Sequence, residues 1–98
     1  MVKYLIWTDR ALVEYEELLD YLNDEWGAEI TKKVGFEIEE KASHIQNNPE
    51  QYPLFIKIKK VRRCVASKQT SIYFKIFSDR IEIMAIIDNR RNPKTRNL

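Results

Sequence analysis

The sequence predicts an α+β fold in which two helices pack on one face of an antiparallel sheet, in the order βααββββ. Two observations lead to this prediction. Apolar residues recur at three- and four-residue steps between residues 10 and 46, which is the spacing of helices. After residue 53 they alternate with polar residues, which is the spacing of strands. The 98 residues form one predicted domain, 1–98, and residues 92–98 are predicted to be a flexible tail.

The first strand and the first helix follow from their residue types. Residues 3–7 are rich in β-branched and aromatic side chains, which predicts a strand. Thr8 or Asp9 can cap the helix that begins next, and Gly27 can end it. Six apolar residues of this helix are predicted to face the core and six acidic residues to face solvent. The apolar set is Leu12, Tyr15, Leu18, Leu19, Leu22 and Trp26, and the acidic set is Glu14, Glu16, Glu17, Asp20, Asp24 and Glu25.

A second helix is predicted from residue 28 to about residue 46, forming a hairpin with the first. It ends at Asn47-Asn48-Pro49 because proline lacks an amide donor and restricts the residue before it. Gly35 is explained most simply by close packing against the first helix or the sheet. The apolar stripe of this helix consists of Ile30, Val34, Ile38, Ala42 and Ile45.

Four strands are predicted after the helices, at residues 55–59, 61–68, 71–77 and 80–88. On the first of them, Lys57 and Lys59 would project from the face opposite the two isoleucines. Short connections make these strands antiparallel, and the strand at residues 3–7 is expected at an edge or between later strands. One face of the last strand is predicted to carry Ile81, Ile83, Ala85 and Ile87.

The two halves of the chain carry opposite charge. Residues 1–50 hold five basic and twelve acidic side chains, a net charge of −7. Residues 51–98 hold twelve basic and three acidic side chains, a net charge of +9. Because three acids cannot pair with twelve bases, we expect many of these cations to face solvent or an anionic partner. A surface that only keeps the protein in solution is the alternative.

The composition excludes several classes of protein. A single cysteine, Cys64, cannot form an internal disulfide, and a single histidine, His44, leaves no Cys/His metal cluster. Neither a metal nor a cofactor is predicted. Cys64 is predicted to be a buried apolar residue and His44 to have a structural or surface role. The sequence contains no signal peptide and no apolar segment of spanning length, so we expect a cytoplasmic protein with no membrane partner.

The main candidate site is a concave cationic patch on the sheet face that the helices leave free. Either Arg62 or Arg63 would join the two lysines there, because a one-residue change of register exchanges the two arginines. Tyr73 could add a stacking ring, although packing within the sheet is the commoner role of such a tyrosine. The patch suits phosphate groups, or RNA cleavage without a metal. The predicted target-binding residues are Lys57, Lys59, Lys60, Arg62, Arg63, Tyr73, Arg90 and Arg91.

Several short motifs follow one another along the chain in a particular order. They are a first strand ending in Trp7, a turn at Trp26-Gly27, Asn48-Pro49 before the sheet, Val61-Arg62-Arg63, Ser71-Ile72-Tyr73-Phe74 and the closing Arg90-Arg91-Asn92-Pro93. Their order resembles the RelE/ParE superfamily, the toxins of bacterial type II toxin–antitoxin systems. The resemblance covers nearly the whole chain and implies a target-binding or active surface on the concave sheet face.

The RelE branch consists of ribosome-dependent mRNA endonucleases whose site contains lysines, arginines and a tyrosine near the C-terminus. Lys57 and Lys59 match its lysine pair, and Arg90 matches its arginine at the end of the last strand. If the chain is an enzyme, the resemblance therefore implies metal-independent, ribosome-dependent RNA cleavage. The catalytic residues would then be Lys57, Lys59, Arg63 and Arg90.

Two departures from that branch favour the ParE branch, which inhibits DNA gyrase by binding. Thr70 stands where the RelE branch has an arginine, three residues before the tyrosine matched by Tyr73. No tyrosine follows Arg91, so the ring that would stack on the scissile base is missing. The closing Arg90-Arg91-Asn92-Pro93 also resembles ParE-like members more closely.

We therefore expect a toxin that binds a nucleic-acid machine, with DNA gyrase as the implied target, and that is neutralised by a cognate antitoxin. Ribosome-dependent mRNA cleavage and a basic nucleic-acid-binding module without toxicity are the alternatives. The antitoxin would use an apolar stripe of the helices or an unpaired sheet edge. Leu12, Tyr15 and Leu19 are its candidate anchors, although each also fits the core. A homodimer and a toxin–antitoxin hetero-oligomer both remain open.

Overall fold

The computed structural model describes residues 3–91, which follow the predicted order of one strand, two helices and four strands. The tail predicted at residues 92–98 lies outside the described residues. The elements are β1 (Tyr4–Trp7), α1 (Asp9–Trp26), α2 (Ala28–Asn47), a 3₁₀ turn (Pro49–Gln51), β2 (Leu54–Ile56), β3 (Val61–Val65), β4 (Thr70–Ile76) and β5 (Arg80–Asp88).

The two helices begin and end where the sequence predicts. Thr8 caps α1, its Oγ1 accepting a hydrogen bond from the amide of Ala11 at 3.2 Å. Gly27 joins α1 to α2 at a φ of 91°, a backbone conformation that L-residues rarely adopt. A Cβ placed on Gly35 would lie 3.6 Å from a methyl group of Leu19, which confirms close packing of the two helices at this glycine.

The five strands form one sheet in the order β1-β5-β4-β3-β2. The pairs among β2, β3, β4 and β5 are antiparallel, as their short connections predict. β1 occupies an edge and runs parallel to β5, so the sheet is mixed. No tight turn joins β1 to β5, because both helices and three strands intervene, and their relative direction is therefore free of the hairpin constraint.

The main core lies between the helical hairpin and one face of the sheet. Leu18 and Leu22 of α1 and Ile38 and Ile45 of α2 are fully buried against it, with Phe74 of β4 at the centre of the sheet side. Removing each such side chain from water contributes roughly 1.5–3 kcal/mol to folding. This burial confirms that Leu18, Leu22 and the apolar stripe of α2 face the sheet. The prediction that Leu12 and Trp26 face the core is wrong, because their side chains are 44% and 54% exposed.

One acidic residue of α1 contradicts the predicted solvent face. β1 ends at Trp7, so the later part of β5 has no strand beside it on that edge. The Thr8 hydroxyl donates to the carbonyl of Ile83 at 2.9 Å, and the Glu14 carboxylate accepts from the amide of Ile86 at 3.0 Å. The prediction that Glu14 faces solvent is wrong, because its carboxylate satisfies a backbone group that no strand reaches.

A bulge in β5 reverses the predicted side-chain alternation. Tyr73 of β4 pairs with Ala85, but its neighbour along β4 pairs with Ile83, so Met84 is an extra residue. The prediction of one common face along this strand is therefore wrong. Ile83 faces the helices, whereas Ala85 and Ile87 belong to a second, smaller apolar cluster on the opposite face.

The strand predicted at residues 55–59 ends early. β2 stops at Ile56, and residues 57–60 form a turn in which the amide of Lys60 donates to the carbonyl of Lys57 at 3.1 Å. Ile56 already pairs with Val61, so the residues between them are available only for reversing the chain. The prediction that Lys57 and Lys59 share one face of a strand is therefore wrong.

Candidate functional site

The register of β3 decides which of the two adjacent arginines faces away from the helices. Arg62 pairs with Phe74, a core residue, and therefore lies on the helix side of the sheet. Arg63 pairs with Tyr73, which belongs to the apolar cluster on the opposite face. The free face of the sheet therefore carries Arg63.

Tyr73 is packed within the sheet. It forms the small apolar cluster with Val61 and Ala85 and is only 7% exposed. Its ring centroid lies 5.2 Å from that of Phe55, and the guanidinium carbon of Arg63 lies 4.9 Å from the centroid of the Phe55 ring. Phe55, which is 47% exposed, is thus the accessible ring beside Arg63, and Tyr73 has the packing role.

The free face of the sheet is largely apolar, with cations set among the apolar side chains. Tyr4 and Ile6 pair in register with Arg80 and Glu82 at one edge, and Phe55 lies at the other. Arg80 is neutralised by Asp79 and Glu82. The exposed large apolar residues of this face are Tyr4, Ile6, Phe55 and Val65. These exposed apolar side chains make the face a candidate interaction surface.

The turn at residues 57–60 brings together three cations of the predicted patch, on the face of the sheet opposite Arg63. They line a groove of about 270 Å³ whose walls include a half-buried residue of β4 that packs against the main core. Lys59 belongs to the same turn but does not line the groove. The lining residues are Leu54, Lys57, Lys60, Arg62 and Ile76.

Arg90 is bound to a buried carboxylate. Its Nε and Nη2 donate to the two oxygens of Asp88 at 2.9 and 2.7 Å, and its backbone amide donates to Asp88 at 2.9 Å. The Thr70 hydroxyl donates to the same carboxylate at 2.6 Å. Burial alone would raise the pKa of Asp88, but these hydrogen bonds outweigh it and lower the pKa. Asp88 in turn raises the pKa of Arg90, so the guanidinium is committed to this ion pair.

Arg91 lies against α1. Its Nη1 is 3.8 Å from a carboxylate oxygen of Glu17, and its guanidinium carbon is 5.8 Å from the centroid of the Tyr21 ring. The Tyr21 hydroxyl donates to the carbonyl of Arg90 at 2.9 Å, which ties the end of β5 to the same helix. The two arginines therefore do not join Arg63.

The prediction that the lysines, one of Arg62 and Arg63, Tyr73, Arg90 and Arg91 share one concave patch is wrong. Three locations replace it, because strand alternation separates adjacent arginines and Asp88 holds Arg90 beside the helices. Arg63 and Tyr73 are on the free face, Arg90 and Arg91 are beside α1 and α2, and Lys57, Lys59, Lys60 and Arg62 are at or beside the β2–β3 turn.

The three candidate antitoxin anchors differ in accessibility. Leu12 is 44% exposed, whereas Tyr15 and Leu19 are half-buried between the helices. The ring of Tyr15 lies 5.2 Å from that of Trp7, and its hydroxyl donates to Glu39 at 3.0 Å. Burial, together with the carboxylate of Glu39, raises the pKa of Tyr15 to about 12. Leu12 is therefore the most exposed of the three.

Cys64 and His44 are linked through a tyrosine. Cys64 is buried in the main core, as predicted for a small apolar residue. His44 lies at the surface of α2 and is hydrogen-bonded through Nδ1 to the hydroxyl of Tyr52. Burial, followed by the Cys64 thiol, raises the pKa of Tyr52 to about 12, so this hydroxyl stays protonated at neutral pH.

The accessible ring of Phe55 was not predicted, although residues two apart on a strand share a face and Phe55 lies two positions before Lys57. The Asp88–Arg90 pair did leave a signal. Residues two apart on a strand share a face, so an acid and an arginine at this spacing are placed to form an ion pair. Within residues 3–91, no group of three or more histidine, cysteine or acidic side chains is arranged to hold a metal ion. No helix in that range combines the length and apolarity needed to cross a bilayer.

The helical hairpin on a five-stranded sheet is a ParE-like fold, and the match to a toxin family places the chain in the RelE/ParE superfamily. Residues 5–93 match the sequence model of a protein family, the ParE toxin of the type II toxin–antitoxin system, parDE. The chain therefore belongs to the ParE toxin family.

A solved structure supports the fold. The chromosomal ParDE TA system from P. aeruginosa contains a chain that superposes with a TM-score of 0.77 at 21% sequence identity, covering 89% of this chain and 96% of that one. At this identity the likeness concerns the fold. No curated protein sequence matches the chain.

Proposed function

We propose that this protein is the toxin of a type II toxin–antitoxin pair that arrests growth by binding DNA gyrase. Membership of the ParE family supports the class of protein. The observation that supports binding over RNA cleavage is the commitment of Arg90 to Asp88, because Arg90 is the arginine that the cleavage hypothesis requires. Both proposed targets, gyrase and the ribosome, are in the cytoplasm, so the proposal includes a cytoplasmic location.

RNA cleavage without a metal needs several groups to converge on one phosphate. A cation must stabilise the charged phosphorane while another side chain moves the proton of the 2′-hydroxyl. Arg63 lies on one face of the sheet and Arg90 beside the helices, and the ring of Tyr73 is buried. This separation supports an inhibitor that acts by occupying a protein surface.

The free face of the sheet is the proposed target surface. Arg63 and the exposed ring of Phe55 are in contact there, and arginine and aromatic residues are enriched at protein interfaces. Val65 and Lys75 extend the surface along β3 and β4. Lys59, in the turn at residues 57–60, remains a candidate contact with the target, as the sequence predicts.

The proposed antitoxin neutralises the toxin by covering apolar surface. Leu12 offers an open anchor on α1, with Tyr15 and Leu19 forming the half-buried floor beside it. An acidic segment of the antitoxin would pair with cations of the second half of the chain. This arrangement would block the target without any chemical step.

A charge reversal on the free face tests the proposal. Purified wild-type protein should inhibit supercoiling by gyrase or trap cleaved DNA, and its expression should arrest growth. Arg63→Glu should abolish both effects, whereas Lys32→Glu, an equal charge change on exposed α2, should preserve them. Equal loss of activity in both variants, with folding intact, would contradict the proposed surface.

The two other hypotheses have distinct outcomes in the same experiment. Cut mRNA on ribosomes with unaffected gyrase would indicate a ribonuclease. Harmless expression with salt-dependent binding to naked RNA or DNA would indicate a non-toxic nucleic-acid-binding module.

A further inference from the structure

The groove beside the β2–β3 turn combines three cations with an apolar wall. Its charged lining is Lys57, Lys60 and Arg62, and no carboxylate lines it. The side chains of Leu54 and Ile76 supply the apolar part. Apolar walls weaken the screening of charge by water, so an anion in this groove would be attracted more strongly than at an open surface.

The positive charge of the groove is not neutralised within the described part of the chain. Neither Lys57 nor Lys60 forms an ion pair with a carboxylate of residues 3–91. Arg62 donates from Nη1 to the carbonyl of Tyr52 at 2.6 Å. This bond fixes the guanidinium and leaves its other N–H groups available to a ligand.

The backbone of Lys60 supplies a second observation. Its φ is 57°, and among residues 3–91 no other non-glycine residue has a positive φ. Glycine or asparagine usually occupies such a turn position, because a Cβ is strained there. Strained backbone positions of this kind cluster at functional sites.

We propose that this groove is a binding site for the phosphate groups of an anionic ligand, with Lys57, Lys60 and Arg62 as the contacts. The planar guanidinium matches two phosphate oxygens, and the two ammonium groups supply point charges. The site lies on the opposite face of the sheet from Arg63 and is therefore separate from the proposed target surface. Either a soluble phosphate compound or the backbone of a nucleic acid supplies this chemistry.

Pyrophosphate is the first probe, with amide chemical shifts as the readout. We expect it to shift the amides of residues 57–62 in a saturable manner. Lys60→Gly keeps the left-handed turn and removes the ammonium, so it should weaken binding about fivefold, the upper value for an exposed ion pair. The same variant should unfold at a higher temperature, because glycine removes the backbone strain.

The controls separate this site from general cationic attraction. Lys57→Gln should weaken pyrophosphate binding as Lys60→Gly does. Lys75→Gln, on the opposite face of the sheet, removes an equal charge and should leave the affinity unchanged. A short DNA duplex forms the second arm, in which removing either groove lysine should reduce the salt dependence of binding by about one ion.

The outcomes distinguish the two sources of phosphate. Binding of both probes indicates a nucleic-acid backbone, and binding of pyrophosphate alone indicates a soluble phosphate compound. Unmoved amides at residues 57–62, or an equal loss of affinity in Lys75→Gln, would overturn the proposal. Gyrase inhibition is measured separately, so its failure would not be confused with failure of this site.

Discussion

Replacing Asp88 by alanine tests whether Arg90 has a structural role. The substitution removes the acceptor of three hydrogen bonds from Arg90 and one from Thr70. The Asp88 side chain is 1% exposed and that of Arg90 is 17% exposed, so the guanidinium would lose its partner in a largely desolvated place. Removing one partner of a buried pair costs about 3–5 kcal/mol, and we expect about 3 kcal/mol because Arg90 retains some contact with water.

Urea denaturation at neutral pH, followed by tryptophan fluorescence, measures this loss. The free energy of unfolding should fall by about 3 kcal/mol in Asp88→Ala, and a double-mutant cycle with Arg90→Ala should give a coupling energy of about 2 kcal/mol. A loss below about 1 kcal/mol, or no coupling, would refute the structural role of Arg90 and reopen it as a catalytic candidate.

The same ion pair predicts how stability depends on pH. The folded-state pKa of Asp88 is lowered, so its contribution is fully present above the unfolded-state value of about 3.9 and is lost as the pH falls through the folded-state pKa. Wild-type protein should therefore lose stability in acid below about pH 4. Asp88→Asn should lack this part of the loss, and an unchanged acid dependence would contradict the assignment.

Three further substitutions test the fold and the site. Gly27→Ala should lower the free energy of unfolding by about 2 kcal/mol, because alanine is strained at a φ of 91°. An added Cβ meets no atom within 4 Å, so the loss would come from the backbone alone, and an unchanged urea midpoint would contradict this. Glu14→Ala should cost about 2 kcal/mol by leaving the Ile86 amide unpaired, whereas Glu14→Gln keeps an acceptor and should cost less; equal losses would argue against that hydrogen bond. Tyr73→Phe should leave growth arrest and stability unchanged, and lost arrest in a folded variant would show that the hydroxyl acts.

The helices were predictable because their boundaries depend on local chemistry. Thr8 caps one end of α1, and Gly27 supplies the φ that no other residue adopts cheaply. The apolar stripes also follow directly from packing on a sheet. Glu14 is one exception, since its burial depends on where β1 ends, which is a tertiary feature. Leu12 and Trp26 are two others, because they belong to the predicted stripe but remain exposed.

The site was less predictable because it depends on strand register. The segment around Lys57 alternates like a strand, but the pairing of Ile56 with Val61 converts it into a turn. One extra residue, Met84, exchanges the faces of everything after it in β5. The alternation of apolar and polar residues reveals neither the turn nor the bulge. The cations predicted on one face therefore lie in three places: the free face, the side of the helices and the β2–β3 turn.

Titration of purified toxin into a fixed amount of gyrase measures inhibition by binding most directly. Plasmid supercoiling should fall in proportion to the toxin added and level off once the target is saturated, while mRNA on ribosomes stays intact at the same concentrations. Full supercoiling at excess toxin, accompanied by discrete cuts in ribosome-bound mRNA, would contradict a binding inhibitor and establish an enzyme in its place.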